Sequence, residues 1–309
     1  MNLRAGLNRS VNVLVILAAV AAGLWLPHIP AVGSLTVPIV AFLVYISLRG
    51  VTFQEVSSVA RPRPILVGLL VSYVALPATA HALAPLLSGP GNRLGLYVIA
   101  AVPTTAGSSI VWTKLSDGDV ELASVLAVVS IAVAPLATPL ILSSFAGPVI
   151  SLSPQAVIAD LLLIIGGGVI LRIAIPADTL TERQVDNSAR ASIATLVYIS
   201  VSQLSVGQLS ANLAMVLVAV IALLVSGFLI SLVLYRLSGL APTARSAVFF
   251  SGSLKNLGVG LLIVDILSVP SAAVVVVIYY LCQQLAGALA ADLFFPRLAI
   301  TLDTPEAPE

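Results

Sequence analysis

Charge is scarce in this chain. Only 9% of its 309 residues are Asp, Glu, Lys or Arg, against roughly 25% in soluble domains, while 59% are hydrophobic, so the solvent for most of it is lipid. A net charge of +1 gives no basis for binding nucleic acid. The single cysteine, Cys282, lies within an apolar run and excludes both an internal disulfide and a thiolate metal cluster. His28 and His81 stand isolated near the outer ends of predicted spans, and a metal site needs more ligands than they offer. Paired acids, a His-Glu-x-x-His run and a Ser/Lys dyad of matching depth are all absent, which argues against an intramembrane enzyme. Nothing in the pattern calls for a cofactor.

What the chain has in abundance is apolar runs separated by charged or Pro/Gly-rich joints. They predict an all-α polytopic membrane protein with ten helices, near 11–26, 34–48, 64–84, 93–113, 120–142, 155–174, 190–208, 211–235, 244–264 and 270–294. Most reach the roughly 20 residues that a bilayer requires. Arg4 and Arg9 ahead of the first run also resemble a signal peptide, but that run has the length of a first span and many spans follow it. A cytoplasmic N-terminus places Arg4, Arg9, Arg49, Arg61, Arg63, Lys114, Arg172, Arg183, Arg190, Arg236, Arg245 and Arg297 inside and only Arg93 outside. The excess of inner Lys and Arg predicts both termini in the cytoplasm of a bacterial-type inner membrane. Nine or eleven spans would scramble it.

Ten spans divide into two fives, 1–148 and 149–299, with a disordered acidic tail over 300–309. An odd number per repeat makes the second copy enter the membrane from the opposite side, an inverted-topology repeat. The fourth helix of each half is interrupted. A-V-P-T-T-A-G-S-S-I-V (101–111) carries Thr104, Thr105, Ser108 and Ser109, and S-G-S-L-K-N-L-G-V-G (251–260) carries Ser251, Ser253, Lys255 and Asn256. Non-helical backbone at membrane depth survives only where protein or a water-filled cavity satisfies it, and two matching breaks point to a transporter's binding site. If Gly258 and Gly260 were merely close-packing residues and Pro103 a simple kink, Lys255 and Asn256 would go unexplained. An ammonium at the bilayer centre costs roughly 2.5–3.5 kcal/mol, so an intramembrane lysine is a site hypothesis in its own right.

The stretch P-T-T-A-G-S-S-I-V-W-T-K-L-S-D-G-D-V-E-L-A-S-V-L-A-V-V-S-I-A-V-A-P-L-A-T-P-L, with L-R-G-V-T-F-Q-E-V upstream and G-S-L-K-N-L-G-V-G downstream, resembles the bile acid:sodium symporter superfamily. The resemblance runs through essentially all ten helices. It implies a panel domain of predicted helices 1, 2, 6 and 7 and a core domain of helices 3, 4, 5, 8, 9 and 10, where the broken helices 4 and 9 cross and substrate lies between the domains. Sodium-coupled members read Glu-x-Gly-x-Gln-Asn in helix nine, the Glu and Gln coordinating two sodium ions. Here Ser251 and Lys255 stand at those positions and only Asn256 is kept. A helix-three Gln that also helps hold sodium aligns with Ser72.

A cation and an ammonium in one cavity repel, so the second sodium site is expected to be absent. The resemblance also fixes the charge: a Glu with two bound sodium ions carries +1, as Lys255 does alone. Lys255 is therefore expected to substitute for the ions in a sodium-independent carrier of a small organic anion. Two half-helix N-termini, each worth about half a positive charge, would add to the attraction for an anion. A proton-coupled exchanger with Lys255 as the titrating group stays open, as does a sodium symporter with one residual site, because Ser130 and Thr138 resemble hydroxyls that serve the first sodium site. Gln203 and Gln208, on the panel side, are further substrate candidates. Asp160 is the one other charge that looks buried; Asp265 lies too far along its helix, about 15 Å, to partner Lys255. The turn S-D-G-D-V-E (116–121) supplies N-capping acids to the fifth helix.

Overall fold

A computed structural model describes residues 3–49, 61–146, 154–176, 178–204 and 213–295. Gln208, the 300–309 tail and most of the stretch between the second and third predicted helices lie outside the described residues. Among the described residues twelve helices of ten residues or more form the frame: α1 (Leu3–Trp25), α2 (Thr36–Arg49), α3 (Pro62–Leu86), α4 (Pro90–Ala101), α5 (Ala106–Leu115), α6 (Val120–Phe145), α7 (Pro154–Ala174), α8 (Glu182–Val201), α9 (Leu213–Leu237), α10 (Ala244–Ser253), α11 (Leu257–Ile266) and α12 (Ala272–Phe294). Among the described residues there is no β-strand, and the one extended pairing is an isolated antiparallel bridge between Thr104 and Lys255.

Helix ends fall where local chemistry puts them. Pro62 and Pro90 open α3 and α4, where a missing N–H is no loss. Asp119 caps α6, accepting from Leu122 N–H at 2.9 Å, and also pairs with Arg61 at 3.0 Å, so the acidic turn caps its helix. Thr181 and Gln184 form a capping box at the start of α8. The predicted fourth span, 93–113, is two helices of 12 and 10 residues, and the ninth, 244–264, is two of 10 residues each. Val102–Thr105 and Leu254–Asn256 join the pieces.

By length and apolarity, six stretches of the described residues suffice to cross a membrane: Pro30–Arg49, Pro62–Leu86, Val120–Phe145, Pro154–Ala174, Leu213–Leu237 and Ala272–Leu293. That is fewer than the ten expected, for three local reasons. The apolar part of α1 is only Val13–Trp25, and α4, α5, α10 and α11 are individually short. The N-terminal half of α8 carries Glu182, Arg183, Asp186 and Arg190. The outward faces of α7 and α9 remain lipid-like: Leu163 and Ile173 on the one, Val218 and Leu229 on the other, are more than half exposed. This is an integral membrane protein.

Packing sorts the helices into neighbours. α2 lies along α7 and α1 along α8, while α10 is surrounded by α3, α5, α6 and α9. α12 lies against α4, α9 and α11. Gly168 of α7 lets the α2 backbone approach closely, since a Cβ there would stand 2.9 Å from the Val44 Cβ. Phe228 stacks on Phe249 with ring centroids 4.4 Å apart, fixing α9 on α10.

Candidate functional site

The two interrupted helices pass each other at the bridge. Thr105 N–H donates to the Leu254 carbonyl at 3.2 Å and Asn256 N–H to the Pro103 carbonyl at 2.9 Å. In a lipid-embedded core the remaining backbone groups of both segments need partners of their own. Side chains from neighbouring helices supply them. Thr138 of α6 donates to the Ala101 carbonyl at 2.8 Å, and the Ser130 hydroxyl accepts from Thr104 N–H at 2.9 Å. Thr104 donates to the Ser251 carbonyl, and Tyr279 of α12 donates to the Ser253 carbonyl at 2.7 Å. Gln283 of α12 takes both main-chain groups of Lys255.

Lys255 is 0% exposed. Its Nζ donates to the Ser72 carbonyl at 2.7 Å, the Ser72 hydroxyl at 2.7 Å and the Val102 carbonyl at 3.0 Å, and it lies 5.3 Å from the Tyr73 ring centroid. Three acceptors match the three donors of an ammonium, and the aromatic face adds a cation–π contact. Neither ion pair among the described residues involves Lys255. The Ser72 carbonyl is available because α3 widens into a π-turn over Val71–Ala75, in which Leu76 N–H bonds to the Val71 carbonyl. Pro77, with no N–H, cannot take the Ser72 carbonyl instead.

The other sequence candidates fall into distinct environments. Ser253 shares a hydrogen bond with Ser231 at 3.1 Å, and Ser109 turns back to its own helix. The Ser251 hydroxyl is buried without a partner. Asn256, half-buried, caps α11 by accepting from Val259 N–H at 3.2 Å. Thr105 and Ser108 are also half-buried, and Ser108 bonds to Gln284 of α12. These three and Gln284 are each partly accessible, and there is open space beside Gly107. Gln203 does not join them; it lines a separate small pocket with Ser200, Asp265 and Ser268. Asp160 is half-buried on α7. His28 and His81 bond to Ser202 and Tyr97 respectively, and no cluster of His, Cys, Asp or Glu among the described residues has the makings of a metal site.

The whole arrangement, two interrupted helices crossing in a lipid-embedded bundle, falls within a stretch matched by a known family: residues 13–294 fit the model of the SBF-like CPA transporter family. The chain belongs to that family. It is related to the bile acid:sodium symporters, as the motifs around 104 and 255 implied. Among similar proteins of Bacillus subtilis (strain 168) are the uncharacterized protein YbaS, 22% identical over 262 residues that cover 81% of this chain and 85% of YbaS, and the uncharacterized sodium-dependent transporter YocS, 22% identical over 267 residues that cover 84% and 82% respectively.

Sequence reading of this SBF-like family member missed four residues: Tyr73, Tyr279, Gln283 and Gln284. The two glutamines did leave a signal, since adjacent amides in an otherwise apolar helix are costly without partners. The tyrosines left none, because buried tyrosine is common in any packed helix.

Proposed function

We propose that this protein is a secondary transporter of a small organic anion, working by alternating access and independent of sodium, with Lys255 occupying the electrostatic place of the ions. One observation carries the reading: Nζ gathers Ser72 of α3 and Val102 of the first segment onto the second segment, drawing oxygens together as a cation would. The crossing carbonyls of Ala101, Val102, Ser251, Ser253 and Lys255 each have a protein donor already. Since Nζ is fully buried and its donors are taken, Lys255 acts on the anion through the crossing. The partly accessible polar side chains of Thr105, Ser108, Asn256 and Gln284 are the contacts for substrate. Packing of α1 with α8 and of α2 with α7 supports a panel domain of those four helices, the other eight forming the core. In this reading the panel and core derive from two inverted repeats, and both termini are cytoplasmic. Cysteines introduced at Ser34 and Gln155 in a Cys282→Ser background should react with an impermeant thiol reagent outside whole cells; protection of both sinks the orientation.

Proton exchange at Lys255 is the second reading, and a specific observation favours it. Among the described residues Nζ is the one partner of the Ser72 hydroxyl, and a neutral amine fits the same oxygens by accepting from that hydroxyl and donating to the two carbonyls. Uptake of carboxylates into proteoliposomes, in sodium or choline buffer and with or without a pH gradient, separates the readings. The main proposal expects equal rates in all four conditions. Stimulation by the pH gradient alone selects the proton exchanger. Tenfold or greater stimulation by sodium, in line with the name of the sodium-dependent transporter YocS, overturns the surrogate lysine.

A further inference from the structure

Thr104 and Lys255 face each other in the type of antiparallel pair that is flanked, not joined, by hydrogen bonds. That geometry turns the N–H and C=O of both residues toward the outer edges of the two-segment ribbon. For Lys255 the outer edge is fully buried, where an unmet main-chain group is expensive. Gln283 covers it completely: Oε1 accepts from Lys255 N–H at 2.8 Å, and Nε2 donates to the Lys255 carbonyl at 2.9 Å. A single side-chain amide stands where the next strand would be. Tyr279, four residues earlier and so on the same face of α12, holds the neighbouring Ser253 carbonyl.

We propose that Gln283 is the positioning residue for Lys255: it fixes the peptide from which the lysine side chain sets out, so that Nζ reaches Ser72 and Val102. The inference rests on the reading that Lys255 is the group on which transport turns. The pairing needs a donor and an acceptor at this length: Asn is a methylene shorter, Met and Leu have no donor, and an ionised Glu accepts but does not donate.

The chain contains two lysines, Lys114 and Lys255, so lysine-specific isotope labelling gives a spectrum that Lys114→Arg reduces to one signal. Two readouts follow in detergent-solubilised protein: exchange of the Lys255 amide, and modification of its Nζ by formaldehyde with a borane reductant. In the parent the amide should be protected and Nζ unmodified. Gln283→Leu should speed amide exchange about ten- to a hundredfold and open Nζ to methylation. Should Gln283→Leu not fold, Gln283→Met serves: it keeps the length of the side chain but has no donor and only a weakly accepting sulfur, so amide exchange should quicken and Nζ become reactive as in the Leu variant. Nζ as unreactive in a folded Gln283 variant as in the parent overturns the proposal. Neither readout uses a substrate, so failure here is distinct from failure of the transport reading.

Discussion

The two extended segments that meet at the crossing are built from different materials. Val102–Thr105 contributes carbonyls and hydroxyls and is held from α6 by the hydroxyls of Ser130 and Thr138. Leu254–Asn256 contributes a lysine side chain, and α12 holds it with a two-handed amide on Lys255 and a phenol on the preceding Ser253 carbonyl. The asymmetry follows from what each must support. A neutral segment needs its backbone satisfied, whereas the lysine segment must also aim a long side chain across the first segment to α3. Holding Nζ at the end of four methylenes costs rotamer entropy, and a fixed starting point leaves less freedom for its three acceptors to take away.

The comparison can be broken most forcefully at the lysine itself. Lys255→Ala leaves the Ser72 and Val102 carbonyls without their donor and should abolish carboxylate uptake. Each orphaned carbonyl costs about 1–3 kcal/mol, but removing the buried ammonium recovers roughly 2.5–3.5 kcal/mol, so thermal unfolding should move by only a few degrees. Normal uptake by a folded Lys255→Ala protein would remove the central claim. The Gln283 variants should come next in size, because they misplace the lysine without deleting it. The smallest effect is expected in the first segment. Thr138→Val removes the donor to the Ala101 carbonyl and should lower stability by about 1–3 kcal/mol while uptake survives. A loss of uptake as large as that of Lys255→Ala, measured at equal protein levels, would show that the two segments are not functionally distinct.

Much of this was legible in the residues. The membrane class follows from composition, and the interruptions near Pro103 and Lys255 from Pro, Gly and hydroxyls inside apolar runs. Ser72 and Lys255, separated by 183 positions, were related only through the resemblance, and the structure brings their atoms to 2.7 Å. Gln203, a sequence candidate, lies in a different pocket from the crossing. The role of the α12 glutamines is not legible in the sequence, because an amide's importance depends on which backbone it meets.

The sequence by itself determined that this chain lives in lipid, where its helices are interrupted and which charge had to be buried. Those are local properties: hydropathy, missing N–H groups and an ammonium without a neighbouring acid. Only the tertiary structure decided which partners satisfy that charge and the exposed peptide groups around it. Hydrogen bonds are short and directional, so whether Ser72, Val102 and Gln283 meet Lys255 depends on how α3, α5, α10 and α12 pack, and packing joins residues that no spacing along the chain connects.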